Sequence, residues 1–281
     1  MKDDEKALPE EVAEELEWLL DVLVGEYQRI CPSQRQLEES LLNRGEELSV
    51  DHLGIRTFAV HPISLDNLAP VFTSRGYRES GHYHFPEKHL RARSFSPPMK
   101  KYPRIFLSEL LPSGLSPENW EKVCGWLECL DSDVTGENLL GASRNWPPID
   151  VEDFRALEGE SQYASWVAAH GIRVNHQAWS VNALMSLDGL EDIHEFGIQE
   201  GMTWKVQGSS ERSKRVTALS QSSTCADVIP ISFANGIIES ISGGYVEFAH
   251  RFRDPSGQGL FDGFIAPQAN DIFESTRRTT S

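Results

Sequence analysis

The sequence predicts an α+β fold in which two βαβββ modules form a curved sheet around a cleft, with added helices. Three observations carry this. The order strand, helix, strand, strand, strand over residues 50–112 recurs over residues 172–281. The segments before and between these runs place apolar residues at helical rather than alternating spacing. No low-complexity linker or clean boundary interrupts the 281 residues, which are therefore read as one domain. Within it, residues 1–48 are N-terminal helices, 50–112 the first module, 113–171 a helical insert, and 172–281 the second module with the C-terminal tail. The repeat is one of element order, not of sequence.

The elements follow in order. Residues 9–30 form an amphipathic helix: Pro9 suits the first helical position, the first turn is acidic, and Val12, Leu16, Leu19, Leu20 and Leu23 make one stripe. A second helix runs over 33–45, with Ser33 as N-cap and Gly45 near its end. "DHLGIRTFAV" is strand-like, "SLDNLAPVFTSRGY" holds a short helix ending near Gly76, and "GHYHFPEKHLRARSFS" reads as one or two strands. "PRIFLSELL" alternates Arg104, Phe106 and Ser108 against Ile105, Leu107 and Glu109. In the insert, 116–130 starts at the N-cap Ser116, and 149–171 is helix-rich and stops at Gly171. The second module opens with the strand 172–182 and the helix 187–201. "TWKVQGSS", "VTALSQSSTCADVIPISFANG" and "GGYVEFAHRF" supply three or more further strands. The run "GSSERSKRV" reads as a solvated hairpin loop, and the tail "ANDIFESTRRTTS" starts as a short helix.

Composition excludes several function classes. A net charge of −17 repels phosphate backbones and anionic membranes, so neither nucleic acid nor membrane is expected as a partner. No run of apolar residues is long enough to span a bilayer. The acidic start "MKDDEKALPEE" lacks the apolar stretch of a signal peptide, and a cytoplasmic location is expected. Cys31, Cys124, Cys129 and Cys225 form no CxxC pair and are expected as free thiols. No P-loop, GxGxxG or GxSxG pattern supports nucleotide binding or serine hydrolysis. Oligomeric state is not legible.

The chemistry concentrates on strands. His52 lies on the first strand of the first module and His176 on the first strand of the second. Glu247 lies on the last strand of the second module, with Glu109 read as its counterpart in the first. If first and last strands lie side by side, ligands more than 100 positions apart converge. Two histidines and one carboxylate on one side of an octahedral metal leave positions for a chelating substrate and O₂, a set that favours Fe(II). Zinc more often takes a tetrahedral site with one open position. A rival cluster, His82, His84 and His89, has ligand spacing but no carboxylate at a matching position.

Seven stretches together, "DHLGIRTF", "FPEKHLRARSFSPP", "PRIFLSEL", "NHQAWSVN", "LSQSSTCAD", "GGYVEFAHR" and "GLFDGFIAPQANDIFEST", resemble the 2-oxoadipate dioxygenase/decarboxylase family. That family is related to the vicinal oxygen chelate (glyoxalase-like) proteins and to hydroxymandelate-synthase-type dioxygenases. The blocks run from about residue 50 to 276. The resemblance implies Fe(II) held by His52, His176 and Glu247, with Ni, Mn or Zn as ions a purified sample could carry. It implies that Arg56 is the catalytic-site arginine that grips the substrate's distal carboxylate. It further implies conversion of 2-oxoadipate and O₂ into 2-hydroxyglutarate and CO₂, and a place in lysine breakdown. Substrate contacts are expected from His52, Arg56 and His176, and from the polar residues Gln221, Ser222, Ser223 and Tyr245. Glu109 is kept as a candidate supporting group. Two other classes stay open: an O₂-independent metal-dependent isomerase, lyase or hydrolase, and a dicarboxylate-binding protein without catalysis.

On a strand, His52 and Arg56 face the same way with Cα atoms ~13 Å apart, a span that suits a short dicarboxylate. Gly54 between them is expected to leave space for that substrate.

Overall fold

A computed structural model describes residues 8–131, 134–141, 144–205, 218–254, 257 and 259–265. Its centre is a mixed seven-stranded sheet in the order β2-β3-β4-β1-β5-β9-β6. The first module is β1 (Val50–Phe58), α3 (Leu65–Thr73), β2 (Arg78–Phe85), β3 (Leu90–Ser96) and β4 (Arg104–Leu110). The second is β5 (Arg173–Ser180), α8 (Leu190–Gln199), β6 (Leu219–Ser223), β7 (Val228–Ser232), β8 (Ile238–Ser242) and β9 (Tyr245–Arg251). First and last strands do lie side by side, β1 parallel to β4 and β5 parallel to β9. The modules join where β1 runs antiparallel to β5, which makes one continuous sheet.

The second module departs from the ideal order. β7 and β8 leave the main sheet as a separate hairpin, and β6 pairs directly with β9. An isolated bridge between Trp204 and Thr224 takes the place of the edge strand expected from "TWKVQGSS". That segment continues beyond the described residues, as do the expected "GSSERSKRV" loop and the tail helix.

The helices lie where the periodicity places them, with informative differences at the ends. α1 (Glu10–Ile30) buries Leu16, Leu19, Leu20, Leu23 and Tyr27, and Pro9 sits one position before the helix. α2 (Pro32–Asn43) starts at Pro32, so Ser33 is inside the helix rather than its cap. Its end is capped from afar: the Ser33 backbone N–H donates to Asp227 Oδ2 at 2.7 Å, a carboxylate at the positive helix end. α4 (Pro117–Leu127) begins at Ser116, whose hydroxyl accepts from Asn119 N–H. The region 149–171 is two helices, α6 (Val151–Glu160) and α7 (Gln162–His170), divided at Ser161, which caps α7. Gly171 ends α7 with φ +81°, a conformation that suits glycine. A short α5 (Gly136–Gly141) was not expected.

One face of the sheet is packed against helices: α3 contributes Leu65, Leu68 and Phe72, and α8 contributes Ile193 and Phe196, all buried. α7 packs against β1, where it bears on the far end of the cleft. Among the described residues no helix is long and apolar enough to cross a membrane. All four cysteines are free thiols, and burial pushes that of Cys31 up to about 12.

Candidate metal centre

The opposite face of the sheet carries a cleft with about 360 Å³ of empty space, part of it open to solvent. His52 on β1, His176 on β5 and Glu247 on β9 meet there, all buried, each with one ligand atom within 4.8 Å of the others. Among the described residues they are the one group of three such side chains able to hold a metal. His82, His84 and His89 do not converge: all three are exposed, His82 pairs with Glu79, and His89 Nδ1 lies 3.0 Å from Ser113 Oγ.

The strand register explains why the site is asymmetric. β1 and β5 pair Gly54 with His176 and His52 with Ala178. The rotation that carries His52 onto His176 therefore carries Gly54 onto Ala178. The parallel partner of Ala178 is Glu247, and that of Gly54 is Phe106. The counterpart of Glu247 is Phe106, not Glu109. Glu109 lies on the other face of β4, accepting from the Leu65 backbone N–H at 2.7 Å and from Arg91, so it supports the start of α3 rather than the centre. Sequence order alone could not reveal this shift of three residues.

Gly54 also has a different use from the one expected. A Cβ there would lie 2.0 Å from His176 Cε1, so the missing side chain admits the imidazole of His176 rather than substrate. On its other flank that ring stacks on Tyr245, with centroids 4.9 Å apart and planes 16° apart.

Each histidine is oriented by the residue before it. Asp51 Oδ1 lies 2.8 Å from His52 Nδ1, and Asn175 Oδ1 lies 3.3 Å from His176 Nδ1. Normally neighbours on a strand face opposite ways. The β1–β5 register slips between Val50 and His52, and again where Ile55 pairs with Val174 instead of Asn175. Asp51 and Asn175 are thus bulged, which turns their side chains toward the following ring. The recurring Asp-His and Asn-His dipeptides were the sequence signal for both, visible in "DHLGIRTF" and "NHQAWSVN".

The electrostatics fit a divalent cation. Burial, then the proximity of His52 and Arg56, push the His176 pKa well below normal, so its ring is neutral and one nitrogen lone pair is free to bind a metal. Burial also opposes charge on His52, but hydrogen bonds to Asp51 and Glu247 and their charges outweigh it, and its pKa is raised. Burial works against the Asp51 carboxylate too, yet Arg251 and His52 hold its pKa well below the usual range. His52 Nε2 lies 3.2 Å from Glu247 Oε1. Glu247 Oε1 also accepts from Gln221 Nε2, while its Oε2 is buried without a hydrogen-bond partner. A buried carboxylate oxygen left so is costly unless a cation meets it. With both imidazoles engaged through Nδ1, the donor set fits a metal bound by two Nε2 atoms and one carboxylate.

Arg56 lines the same cleft and is buried. Its guanidinium lies 5.0 Å from the Tyr163 ring and 5.3 Å from the Trp166 ring, both from α7. Burial lowers its pKa, and Tyr245 and Tyr163 act in the opposite direction. Tyr163 is itself fixed, donating to Ser108 O at 2.7 Å and accepting from Thr57 N–H at 3.2 Å. Gln221 and Tyr245 line the cleft as expected. Ser222 does not: it pairs with Phe248 on the helix-covered face, where its hydroxyl meets His194 of α8. Ser223 is the cross-strand partner of Glu247 and does not line the cleft. The sequence reading missed Phe106, Asn175, Tyr163, Trp166 and Phe264.

The family model described as 2-oxoadipate dioxygenase/decarboxylase matches residues 10–128 and 135–280. The chain is 33% identical over 255 residues to the chloroplastic/amyloplastic 2-oxoadipate dioxygenase/decarboxylase of Oryza sativa subsp. japonica, covering 83% of this chain and 70% of that protein. Among solved structures, the hydroxyglutarate synthase from Oryza sativa in complex with 2-oxoadipate is 29% identical with a TM-score of 0.86, covering 96% of this chain and 95% of that one. A putative hydrolase from Shewanella frigidimarina NCIMB 400 is 34% identical with a TM-score of 0.79, covering 92% and 100%.

Proposed function

The chain belongs to the 2-oxoadipate dioxygenase/decarboxylase family, and on that premise we propose that it acts on a 2-oxo dicarboxylic acid, 2-oxoadipate foremost, converting 2-oxoadipate and O₂ into 2-hydroxyglutarate and CO₂. The reaction balances: the carboxylate next to the keto group leaves as CO₂, and both atoms of O₂ remain in the products, one in the new carboxylate and one in the hydroxyl. The observation that carries the reading is the pairing, on one strand and in one cleft, of His52, one of the three converging candidate ligands, with the buried guanidinium of Arg56.

His52, His176 and Glu247 would hold Fe(II), the ion best matched to two imidazoles and a carboxylate with several positions left open. When bound, Fe(II) would supply the affinity for the keto and adjacent carboxylate oxygens and the redox chemistry with O₂. The chain's own residues do the rest. Arg56 receives the distal carboxylate in a two-pronged contact that a lysine would not reproduce. Tyr163 and Trp166 hold the guanidinium plane, which fixes the distance from the metal end to the carboxylate end. Phe106 and Phe264 pack on one another and give the cleft an apolar wall beside the triad. Gln221 holds the carboxylate of Glu247 in place. Orientation matters because oxidation must strike one carbon of the shortened acid before it escapes.

The test is anaerobic reconstitution with Fe(II), addition of 2-oxoadipate and related 2-oxo diacids, then admission of O₂. One O₂ consumed and one CO₂ released per acid supports the reading. Turnover under anaerobiosis would favour the isomerase, lyase or hydrolase class, and tight binding without turnover a non-catalytic binder.

A further inference from the structure

Arg251 ends β9, four residues beyond Glu247, and is buried. It does two jobs at once. Its Nε and Nη2 donate to Asp51 Oδ2 at 2.6 Å and Oδ1 at 2.8 Å, a two-pronged pair. Its Nη1 donates to the backbone carbonyls of Phe261 at 2.9 Å and Gly263 at 2.8 Å. Asp51 is the residue that orients His52. Phe261 and Gly263 belong to the segment that carries Phe264 over the cleft.

That segment touches the same centre by two further routes. The Phe264 ring lies edge-on to the His52 ring with centroids 4.9 Å apart, and Arg251 Cζ lies 5.5 Å from the Phe264 ring. Asp262 accepts from Ser96 Oγ at 2.8 Å and Arg104 Nε at 2.6 Å, and Arg104 Nη1 lies 3.4 Å from Asp51 Oδ2. Tyr83 adds an anchor of its own, accepting from the Phe264 N–H at 3.2 Å.

We propose that Arg251 is a positioning residue that couples the seating of residues 261–264 over the cleft to the orientation of the metal ligand His52, with Asp51 as the shared link. The proposal rests on the reading that His52 binds a metal. The physical reason is economy of partners. A guanidinium shared between a carboxylate and two carbonyls satisfies both only when the strap is seated. If the strap lifts, the Arg251 donors lose two acceptors and the His52 ring loses its packing partner, so the buried Asp51–His52 pair is exposed to water and rearrangement. A closed strap and a correctly oriented imidazole are then one state. Coupling of this kind is reciprocal: metal that favours the oriented His52 must favour the seated strap by the same factor.

Zn(II), which undergoes no redox chemistry, is the probe. Amide hydrogen exchange of residues 260–265 is followed by mass spectrometry with and without Zn(II), with one-to-one binding checked by titration. In the unaltered protein, bound Zn(II) is expected to slow exchange of the strap by about tenfold. In Arg251→Lys, which keeps a positive charge against Asp51 but cannot serve both partners, that protection shrinks and Zn(II) affinity falls, on the order of tenfold. Asp262→Asn gives a second route for a variant that folds readily, since this side chain is half exposed, and it too should shrink the protection. Strap exchange unchanged by bound Zn(II), or protection of full size in either variant, overturns the proposal while leaving the metal reading intact. Failure of the unaltered protein to bind either Zn(II) or, anaerobically, Fe(II) overturns the metal reading and this one with it.

Discussion

Asp51 and Asn175 occupy equivalent bulged positions in the two modules, and each turns a side-chain oxygen onto the Nδ1 of the histidine that follows it. The two histidines are thus oriented in the same way by different residues. One orienting group is a carboxylate locked by Arg251, the other a neutral amide. Supporting hydrogen bonds of this kind are worth 10- to 100-fold in metal affinity. Asn175→Ala should therefore weaken metal binding by roughly tenfold, measured by competition with a chromophoric chelator. An affinity equal to that of the unaltered protein would mean that packing between Gly54 and Tyr245 suffices to orient His176.

Gly54→Ala tests that packing. The new methyl would meet His176 Cε1 at 2.0 Å and Nε2 at 2.5 Å, and the ring cannot retreat because Tyr245 stacks on its far side. The expected result is loss of most metal binding with the far-ultraviolet circular dichroism unchanged. Full iron occupancy in Gly54→Ala would contradict the geometry at its most crowded point.

Arg56 and its aromatic frame set the substrate. Arg56→Ala should raise KM for dicarboxylic 2-oxo acids by roughly 10- to 100-fold, the worth of a charge-assisted contact, with much less effect on monocarboxylic ones. Tyr163→Leu or Trp166→Leu should act in the same direction but more weakly, about two- to tenfold, because each removes one cation–π partner and leaves the charge. Steady-state kinetics on 2-oxo diacids of increasing length reads both effects. Equal losses on mono- and dicarboxylates would make Arg56 structural.

His170 gives a pH test outside the candidate ligand set. It is buried, its Nε2 lies 2.8 Å from the Ser242 carbonyl, and its Nδ1 has no hydrogen-bond partner. Burial, with Arg173, Arg144 and Arg56 nearby, lowers its pKa from 6.5 to about 3. Its folded-state pKa is depressed, so the unfolded chain binds the proton first. The stability from neutral His170 is present above about pH 6.5 and is lost as pH falls towards about 3. His170→Gln should flatten the stability–pH curve over that window in urea titrations. Parallel curves would show that the imidazole stays charged in the fold.

The sequence carried the frame because its signals are local. Helical spacing fixed α1 and α4, Ser116 marked a real cap, and the repeated element order correctly paired first with last strands. His52, His176 and Glu247 were legible because each sits on a strand whose place in a module could be counted. What the order could not carry is register. The slip from Glu109 to Phe106, the outward turn of Ser222 towards α8, and the bulges at Asp51 and Asn175 all depend on single-residue offsets between strands far apart in the chain. The walls around Arg56 and over His52 come from α7 and from residues 261–264, which approach only through tertiary packing.

The central claim is that His52, His176 and Glu247 hold one iron that the 2-oxo acid chelates. Anaerobic titration of Fe(II) into the protein with 2-oxoadipate, followed by the visible charge-transfer absorption of an iron-bound 2-oxo acid, tests it most directly. The account predicts a band that saturates at one iron per chain and disappears in His176→Ala and Glu247→Ala. A band absent from the unaltered protein, or one that persists at full strength in His176→Ala, would contradict it.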